Sequence, residues 1–274
     1  MTKKIALRKK PLIVGMVHFG PLAGRPDAPR PQVVLQKAKK DLAALIKGGI
    51  DAVMFENMYD QPHTERLDPK RAVQFERLVI SLAKNLRVPF GLSVLWNDYR
   101  SAFAVAKKTG ASWIRVPVFV DSVQTEYGIF RAHPKDVIQA RNKAGANKVQ
   151  IFADVHVKHA KLLNKKNIII SARETMKAGA DAVILTGKWT GDPPKIQEIK
   201  NVRKAIGLFP IFIGSGMTAQ NIKKYLPFID GAIVGTSLKK NGKIKVGHHL
   251  QTAWKQQINI VNVRRFMQKI DRIN

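Results

Sequence analysis

Eight short apolar runs alternate with amphipathic stretches along this chain, and few folds accept that pattern. The runs fall near 12–17, 51–56, 90–95, 113–118, 149–154, 181–186, 211–214 and 231–235. Helical periodicity falls near 32–47, 70–86, 98–109, 134–144, 168–178, 194–205, 218–225 and 261–270. Such alternation marks successive βα units on a parallel sheet. Eight units predict one α/β domain over 1–274, a closed (β/α)8 TIM barrel, with a doubly wound open sheet as the alternative. A length of 274 residues suits one such barrel.

A weak repeat supports the barrel. Gly49-Ile-Asp-Ala-Val, Gly110-Ala-Ser-Trp-Ile and Gly179-Ala-Asp-Ala-Val open three even-numbered runs, and Ile229-Asp-Gly-Ala-Ile opens the last. Pro11, Pro89 and Pro210 open three odd-numbered runs. Glycine suits a helix end and proline the first residue of a strand. The unit is a βαβα pair of about 60 residues, as four quarters of a barrel would give, although ordinary turn chemistry needs no duplication to produce it. Three stretches break the rhythm: the Pro/Gly-rich loop 18–29, a long loop at 119–133, and an irregular insertion at 241–259 with the His248-His249 pair. The first two follow strands, where barrel sites are built.

Two strand-then-glycine turns near the end of the chain point to a ligand class. Ile211-Phe-Ile-Gly214-Ser215-Gly216 and Ala232-Ile-Val-Gly235-Thr236-Ser237 each break a β-branched run at glycine and continue into hydroxyl residues. Glycine lets a ligand approach the main chain, whose open amides favour negative charge. The loops after the seventh and eighth strands of a barrel are its usual phosphate site. A small phosphorylated substrate is therefore expected, held by Gly214, Ser215, Gly216, Gly235 and Thr236.

Acids are scarce, so their positions are informative. Asp51, Asp181 and Asp230 open strands and read as structural residues at the barrel bottom. Glu56, Asp98, Asp154 and Asp192 fall at or just past C-terminal strand ends, where polar residues read as site residues. A helix N-cap is the competing role, above all for Asp98. The densest cluster is Phe152-Ala-Asp-Val-His-Val-Lys-His-Ala160. In extended chain Asp154, His156 and Lys158 share a face. Together they can transfer protons at neutral pH. His18, Glu56, Asp154 and His156 can also be read as ligands of a divalent metal, in a spacing that matches no metal motif. Arg115 within the fourth run needs an anionic partner if it points inward. Asn97, Thr186 and Gly187 complete the expected binding set, and Trp189 either covers a ligand ring or packs its loop. No P-loop, GxSxG elbow or HExxH helix is present.

There are 48 Lys+Arg against 19 Asp+Glu, a formal net charge of +29. Such a field attracts polyanions and anionic membrane surfaces. The lysines are nevertheless spread along presumed helix exteriors, with no interleaved aromatics of a nucleic-acid motif. A solvated basic surface is the plainer reading. The absence of cysteine excludes disulfides, thiolate metal sites and a cysteine nucleophile. The basic start over residues 1–10 lacks the apolar core of a secretory signal and runs at once into a strand, which argues against organellar targeting. No apolar run reaches 18 residues. A cytoplasmic protein is expected, with peripheral membrane contact and homo-oligomerisation left open.

These segments together resemble the BtpA family, which includes SgcQ-type proteins. The carriers are Gly15-Met-Val-His-Phe-Gly-Pro-Leu-Ala-Gly24, Glu56-Asn57, Asn97-Asp98, Arg115-Val116, Phe152–Ala160, Thr186-Gly187 with Thr190-Gly-Asp-Pro193, Gly214-Ser-Gly216 and Gly235–Lys240. They run in order from about residue 11 to 270. The resemblance implies a ribulose-phosphate-binding type of barrel. It also implies two functional settings, photosystem I biogenesis at a membrane for one member and sugar-related gene contexts for others, without an agreed reaction. Met58-Tyr-Asp, Trp96 and the stretch 244–253 depart from the family pattern. The expected function is an enzyme acting on a sugar phosphate or nucleotide-like compound. The alternatives are a non-catalytic assembly factor and a polyanion-binding protein.

Overall fold

The computed structural model describes residues 10–25, 28–242 and 253–271. Most of the basic N-terminal extension, together with Gly247 and the His248-His249 pair, lies outside the described residues. Eight parallel strands close a barrel: β1 (Leu12–His18), β2 (Ala52–Glu56), β3 (Phe90–Ser93), β4 (Trp113–Val116), β7 (Gln150–Val155), β9 (Ala182–Leu185), β10 (Ile211–Ile213) and β11 (Gly231–Val234). Each pairs with its sequence neighbours, and β11 pairs back onto β1. The helices are α1 (Pro31–Lys47), α2 (Pro69–Ala83), α3 (Tyr99–Thr109), α4 (Pro134–Lys143), α5 (Ile168–Lys177), α6 (Ile196–Ile206) and α7 (Ile260–Asp271). None of the described helices is long and apolar enough to cross a membrane.

Two expectations change. The stretch 218–225 forms no α-helix. It holds the 3-10 turn Ile222–Lys224, followed by a second over Leu226–Phe228. At the start of the stretch Thr218 and Asn221 bond each other's backbone, the Thr218 N–H donating to Asn221 Oδ1 and the Asn221 N–H to Thr218 Oγ1, which competes with helical bonding. The 119–133 segment is more than a loop. It folds into the hairpin β5 (Val123–Thr125) and β6 (Gly128–Phe130), and β8 (Lys161–Leu162) joins it as a third antiparallel strand. This small sheet stands beside the barrel mouth.

The strand period of two sorts side chains between the barrel lumen and the helix layer. Val14, Met54, Trp113, Phe152, Ile184 and Phe212 pack together inside the barrel. Ile13, Val17, Val53 and Phe55 face the helices. Gly91 makes room for the Trp113 indole, since a Cβ there would lie 2.2 Å from the ring. Continued upward, the same alternation brings His18, Glu56, Arg115 and Asp154 to the top of the lumen.

The bottom is held by a repeated device. Asp51 accepts from the Ile13 N–H at 2.9 Å, Asp181 from Ile151 at 2.8 Å and Asp230 from Ile211 at 2.8 Å. In each case the acid precedes an even barrel strand and clasps the preceding odd strand. Arg141 on α4 adds an ion pair to Asp181, and Arg203 on α6 adds one to Asp230. Ser112 occupies the corresponding position before β4.

Candidate functional site

The top of the barrel opens into one cavity of about 450 Å³. His18, Glu56, Arg115 and Lys158 line one side of it. Gly214–Thr218 and Gly235–Ser237 line the other. The two glycine turns and the charged strand ends, more than 150 residues apart for Glu56 and Gly214, thus share a single chamber.

The charged side is built around Arg115. Its register partner on β7 is Phe152, so the long side chain rises one pleat to reach Asp154. Nε donates to Asp154 Oδ1 at 2.7 Å and Nη2 to Oδ2 at 2.8 Å. Nη1 lies 3.4 Å from Glu56 Oε1. Burial alone would lower the affinity of the guanidinium for its proton, but Asp154 and Glu56 more than restore it. Burial likewise pushes the Glu56 carboxyl up. The hydrogen bond from His18, the Arg115 charge and the Lys158 ammonium outweigh it and hold Glu56 at about 2. His18 Nε2 sits 3.4 Å from Glu56 Oε2, while its Nδ1 has no partner among the described residues. Burial, reinforced by nearby Lys239 and Lys37, lowers the imidazole to about 4 against the pull of Glu56, so it is neutral at pH 7.

Lys158 reaches the cavity through an unusual loop. Strand β7 ends at Val155, and His156 takes φ 51°, in the left-handed region that non-glycine residues seldom enter. The alternation that would have kept His156 beside Asp154 stops there. Its imidazole turns outward, 3.3 Å from Ser171 Oγ on α5. Burial lowers it, opposed by Asp121 and Glu198. Lys158 is anchored by its main-chain N–H on Thr186 Oγ1 and extends its side chain into the chamber. Burial and the Arg115 charge lower its ammonium to about 8, although Glu56 and Asp154 pull the other way.

The glycines are fixed by packing as well as by approach. A Cβ on Gly214 would lie 2.7 Å from Ile184 Cγ2, and one on Gly235 would lie 2.9 Å from His18 Cε1. Gly216 has φ 71° and abuts the Pro193 main chain. Among the described residues, the main-chain N–H groups of Ser215, Gly216 and Met217 donate to no partner, and neither do those of Thr236 and Ser237. The Ser215 hydroxyl is already engaged. It donates to the Asp192 carbonyl at 2.7 Å and accepts from the Gly187 N–H at 2.9 Å. Ser237 Oγ donates to the Met217 carbonyl, joining the two turns.

Several expected site residues brace the rim instead of lining the cavity. Asp98 caps α3, accepting from the Ser101 N–H, the Ser101 hydroxyl and the Leu67 N–H. Asn97 exchanges a pair of hydrogen bonds with the Val118 main chain. Asn57, quoted above only for the resemblance, does the same to Leu95. Thr186 and Gly187 line a neighbouring hollow of about 390 Å³. Asp192 accepts from the Lys188 N–H. Trp189 stacks obliquely on His159, ring centres 5.2 Å apart, and Thr190 beside it lines the cavity.

The proposed metal set does not gather. His156 faces outward, and both Asp154 oxygens are taken by Arg115. No group of three or more His, Asp or Glu among the described residues has metal-holding geometry. As arranged here, His18, Glu56, Asp154 and His156 do not together fit a divalent cation.

Lys239 and Tyr59 are site neighbours that sequence reasoning passed over. Lys239 Nζ, fully buried behind His18, donates to Tyr59 Oη at 2.9 Å. Burial and the Lys37 charge lower it to about 7. Tyr59 packs edge-on against the His18 ring, 5.9 Å between centres. In sequence Lys239 looks like its exposed neighbour Lys240, and only the return of residues 254–259 onto the barrel distinguishes them.

Comparison with known proteins adds the lineage. Over 239 residues the chain is 35% identical to the photosystem I biogenesis protein BtpA of Synechocystis sp., covering 85% of this chain and 82% of that one. It is 26% identical over 265 residues to the putative sgc region protein SgcQ of Escherichia coli, covering 95% and 94%. Among solved structures, the N-(5'-phosphoribosyl)anthranilate isomerase of Pyrococcus furiosus superposes with a TM-score of 0.56 at 13% identity, over 96% of this chain and all of that one. That likeness is one of fold. The profile of the BtpA family matches residues 8–272, so the chain belongs to the BtpA family.

Proposed function

We propose that this protein is an enzyme acting on a small phosphorylated metabolite, a sugar phosphate or a nucleotide-like compound. One observation carries the reading: open main-chain amides on two glycine turns and an ionised acid–base cluster line opposite sides of one chamber. The open amides of Ser215, Gly216 and Thr236 hold the phosphate, as loops at this place in a barrel are suited to do, while Gly214, whose own N–H is on the Leu185 carbonyl, and Gly235 keep the approach free of side chains. Ser215 contributes its N–H only, because its hydroxyl is spent on the loop. Glu56, ionised at neutral pH, accepts a substrate hydroxyl or takes a proton, and Lys158 is the group able to give one. Arg115, forked onto Asp154, fixes that geometry and stays charged throughout. The P. furiosus isomerase, named for a phosphoribosyl compound, supports the ligand class by analogy of fold alone.

Thermal shift against matched pairs of phosphorylated and dephosphorylated sugars and nucleosides tests it. Stabilisation by members of the phosphorylated set, absent with their dephosphorylated partners, is the expected result. No stabilisation by any phosphorylated compound defeats the proposal.

The 35% identical Synechocystis relative, named for photosystem I biogenesis, favours a second reading. Here the +29 surface docks the protein on an anionic membrane as an assembly factor. Binding to anionic vesicles would then weaken steeply with salt and survive Glu56→Gln and Lys158→Met. Retention of vesicle binding at high salt, or its loss in those cavity variants, contradicts it.

A further inference from the structure

The cations around the cavity differ in one respect. Arg115 is forked onto Asp154, Lys239 is bound to Tyr59, and Lys37 is paired with Asp41 at 2.6 Å. Lys158 lines the cavity, and its side chain makes no hydrogen bond or ion pair among the described residues. The carboxylates within reach of its charge are Glu56 and Asp154, and Arg115 and His18 already occupy them. The loop that delivers Lys158 is held at both sides. Its own N–H is on Thr186, and His159 next to it is hydrogen-bonded to Thr190 Oγ1 at 2.8 Å. The Lys158 main chain is thus fixed while its amine is left open toward the chamber.

A half-buried lysine that only balanced charge would sit on a carboxylate. One that must stay reactive has to avoid that pairing, because an ion pair keeps it protonated. Lys158 also lines the adjoining smaller hollow beside Tyr127 and Pro117, so its amine stands between the phosphate-side chamber and a recess walled by the β5–β6 hairpin.

We infer that Lys158 is a nucleophile that forms a Schiff base with the carbonyl carbon of a phosphorylated aldehyde or ketone. The inference rests on the proposed phosphate site and adds the second functional group of its substrate. The neutral amine attacks the carbonyl carbon, forming a C–N bond as the C=O π bond opens to an alkoxide. Glu56 relays the first proton released by nitrogen to the oxygen, giving a carbinolamine, and the second nitrogen proton follows the same path as the C–O bond breaks, so that the oxygen departs as water. The remaining nitrogen lone pair closes the C=N bond. Amine and carbonyl give imine and water, with no oxidant or reductant consumed. Burial of Lys158 beside Arg115 supplies the neutral amine near physiological pH.

The test is reductive trapping on the full chain. The protein is incubated with sodium cyanoborohydride and dihydroxyacetone phosphate, glyceraldehyde 3-phosphate or their dephosphorylated forms, then read by intact mass and peptide mapping. One adduct per chain is expected from a phosphorylated carbonyl, located at Lys158. It should form about tenfold faster than at any exposed lysine, because a lowered pKa leaves more free amine. Excess inorganic phosphate should suppress it. Lys158→Arg should abolish it while leaving thermal stabilisation by phosphorylated compounds in place. Adducts scattered over surface lysines, or labelling unchanged in Lys158→Arg, overturn the inference. So does stabilisation by phosphorylated carbonyls without any Lys158 adduct, which leaves the phosphate reading standing. A Lys158 adduct formed equally by the dephosphorylated compounds keeps the nucleophile and defeats the phosphate site. The peptide map of the unmodified chain decides the matter even if the variant folds poorly.

Discussion

The two ends of this barrel use carboxylates in opposite ways. At the bottom, Asp51, Asp181 and Asp230 each clasp a main-chain N–H of the neighbouring strand, and helix arginines cover two of them. A Gly-x-Asp opening accompanies the device at Asp51 and Asp181, and Ile229-Asp-Gly takes its place at Asp230. At the top, Glu56 and Asp154 are held by side chains from other strands, and no two positions are alike. Bottom acids join neighbouring strands through the backbone. Top acids are poised around space. Conserving strand geometry needs only a local rule, whereas assembling a reactive cavity needs residues drawn from the whole chain.

Arg115→Met should break the contrast most sharply. It leaves Glu56 and Asp154 buried without their cation, and stripping one partner from a buried pair costs about 3–5 kcal/mol. Urea unfolding should show that loss. Arg115→Lys, which cannot fork onto Asp154, should recover only part of it. A loss below about 1 kcal/mol, the level of an exposed pair, would mean that the top cluster is solvated.

Next in size is a pH response placed at the upper end. His18 is lowered to about 4 in the folded protein from an ordinary 6.5. As pH falls from 6.5 toward 4, the unfolded chain takes up a proton that folded His18 refuses, so stability falls. The loss is on the order of 3 kcal/mol by pH 4. Glu56, held at about 2, extends the decline below its ordinary 4.5. His18→Gln should flatten the upper part of that descent in a melting-temperature series, and an unchanged slope would contradict the assignment. Lys239 and Lys158, lowered to about 7 and about 8, act in the alkaline direction. Their folded forms shed protons first, so their contribution to stability improves as pH rises toward 10.5.

A smaller effect belongs to the bottom. Asp230→Ala removes the acceptor for Ile211 N–H and the Arg203 pair, and should cost about 1–3 kcal/mol. It should leave ligand-induced stabilisation intact, because Asp230 does not line the cavity. A variant that loses ligand binding while remaining folded would show that the ends are coupled.

Legibility in the sequence follows the same division. The barrel was readable because the βα alternation is a local pattern repeated eight times, and the Gly-x-Asp openings mark its lower end. Glu56 and Asp154 could be singled out because they end strands at the upper face, and Arg115 because a cation within a buried strand needs an anionic partner if it points inward. His156 could not be placed, since its turn away from Asp154 depends on a left-handed backbone angle that side-chain alternation does not encode. Asn97 sits where a site residue belongs, and only its hydrogen bonds reveal it as a brace, whereas Asp98 takes the N-cap role that its place before α3 already allowed. Lys239 and Lys37 are buried, but in sequence they are indistinguishable from the solvated lysines around them. The helix expected at 218–225 gives way to 3-10 turns, where Thr218 and Asn221 satisfy each other's backbone N–H in place of helical bonding.

The central claim is that the glycine turns grip a phosphate. Substitution of the glycines is a poor probe, since Gly216 has no room for any side chain. Thr236 is half-buried at the cavity wall, and its side chain makes no hydrogen bond among the described residues, so Thr236→Asp adds a negative charge where the phosphate would rest. The direct measurement is calorimetric titration of the wild type and Thr236→Asp with the strongest phosphorylated stabiliser. The account predicts measurable binding to the wild type and its loss in the variant, with stability changed by no more than about 0.5 kcal/mol. Equal binding by both proteins would place the phosphate elsewhere and contradict it.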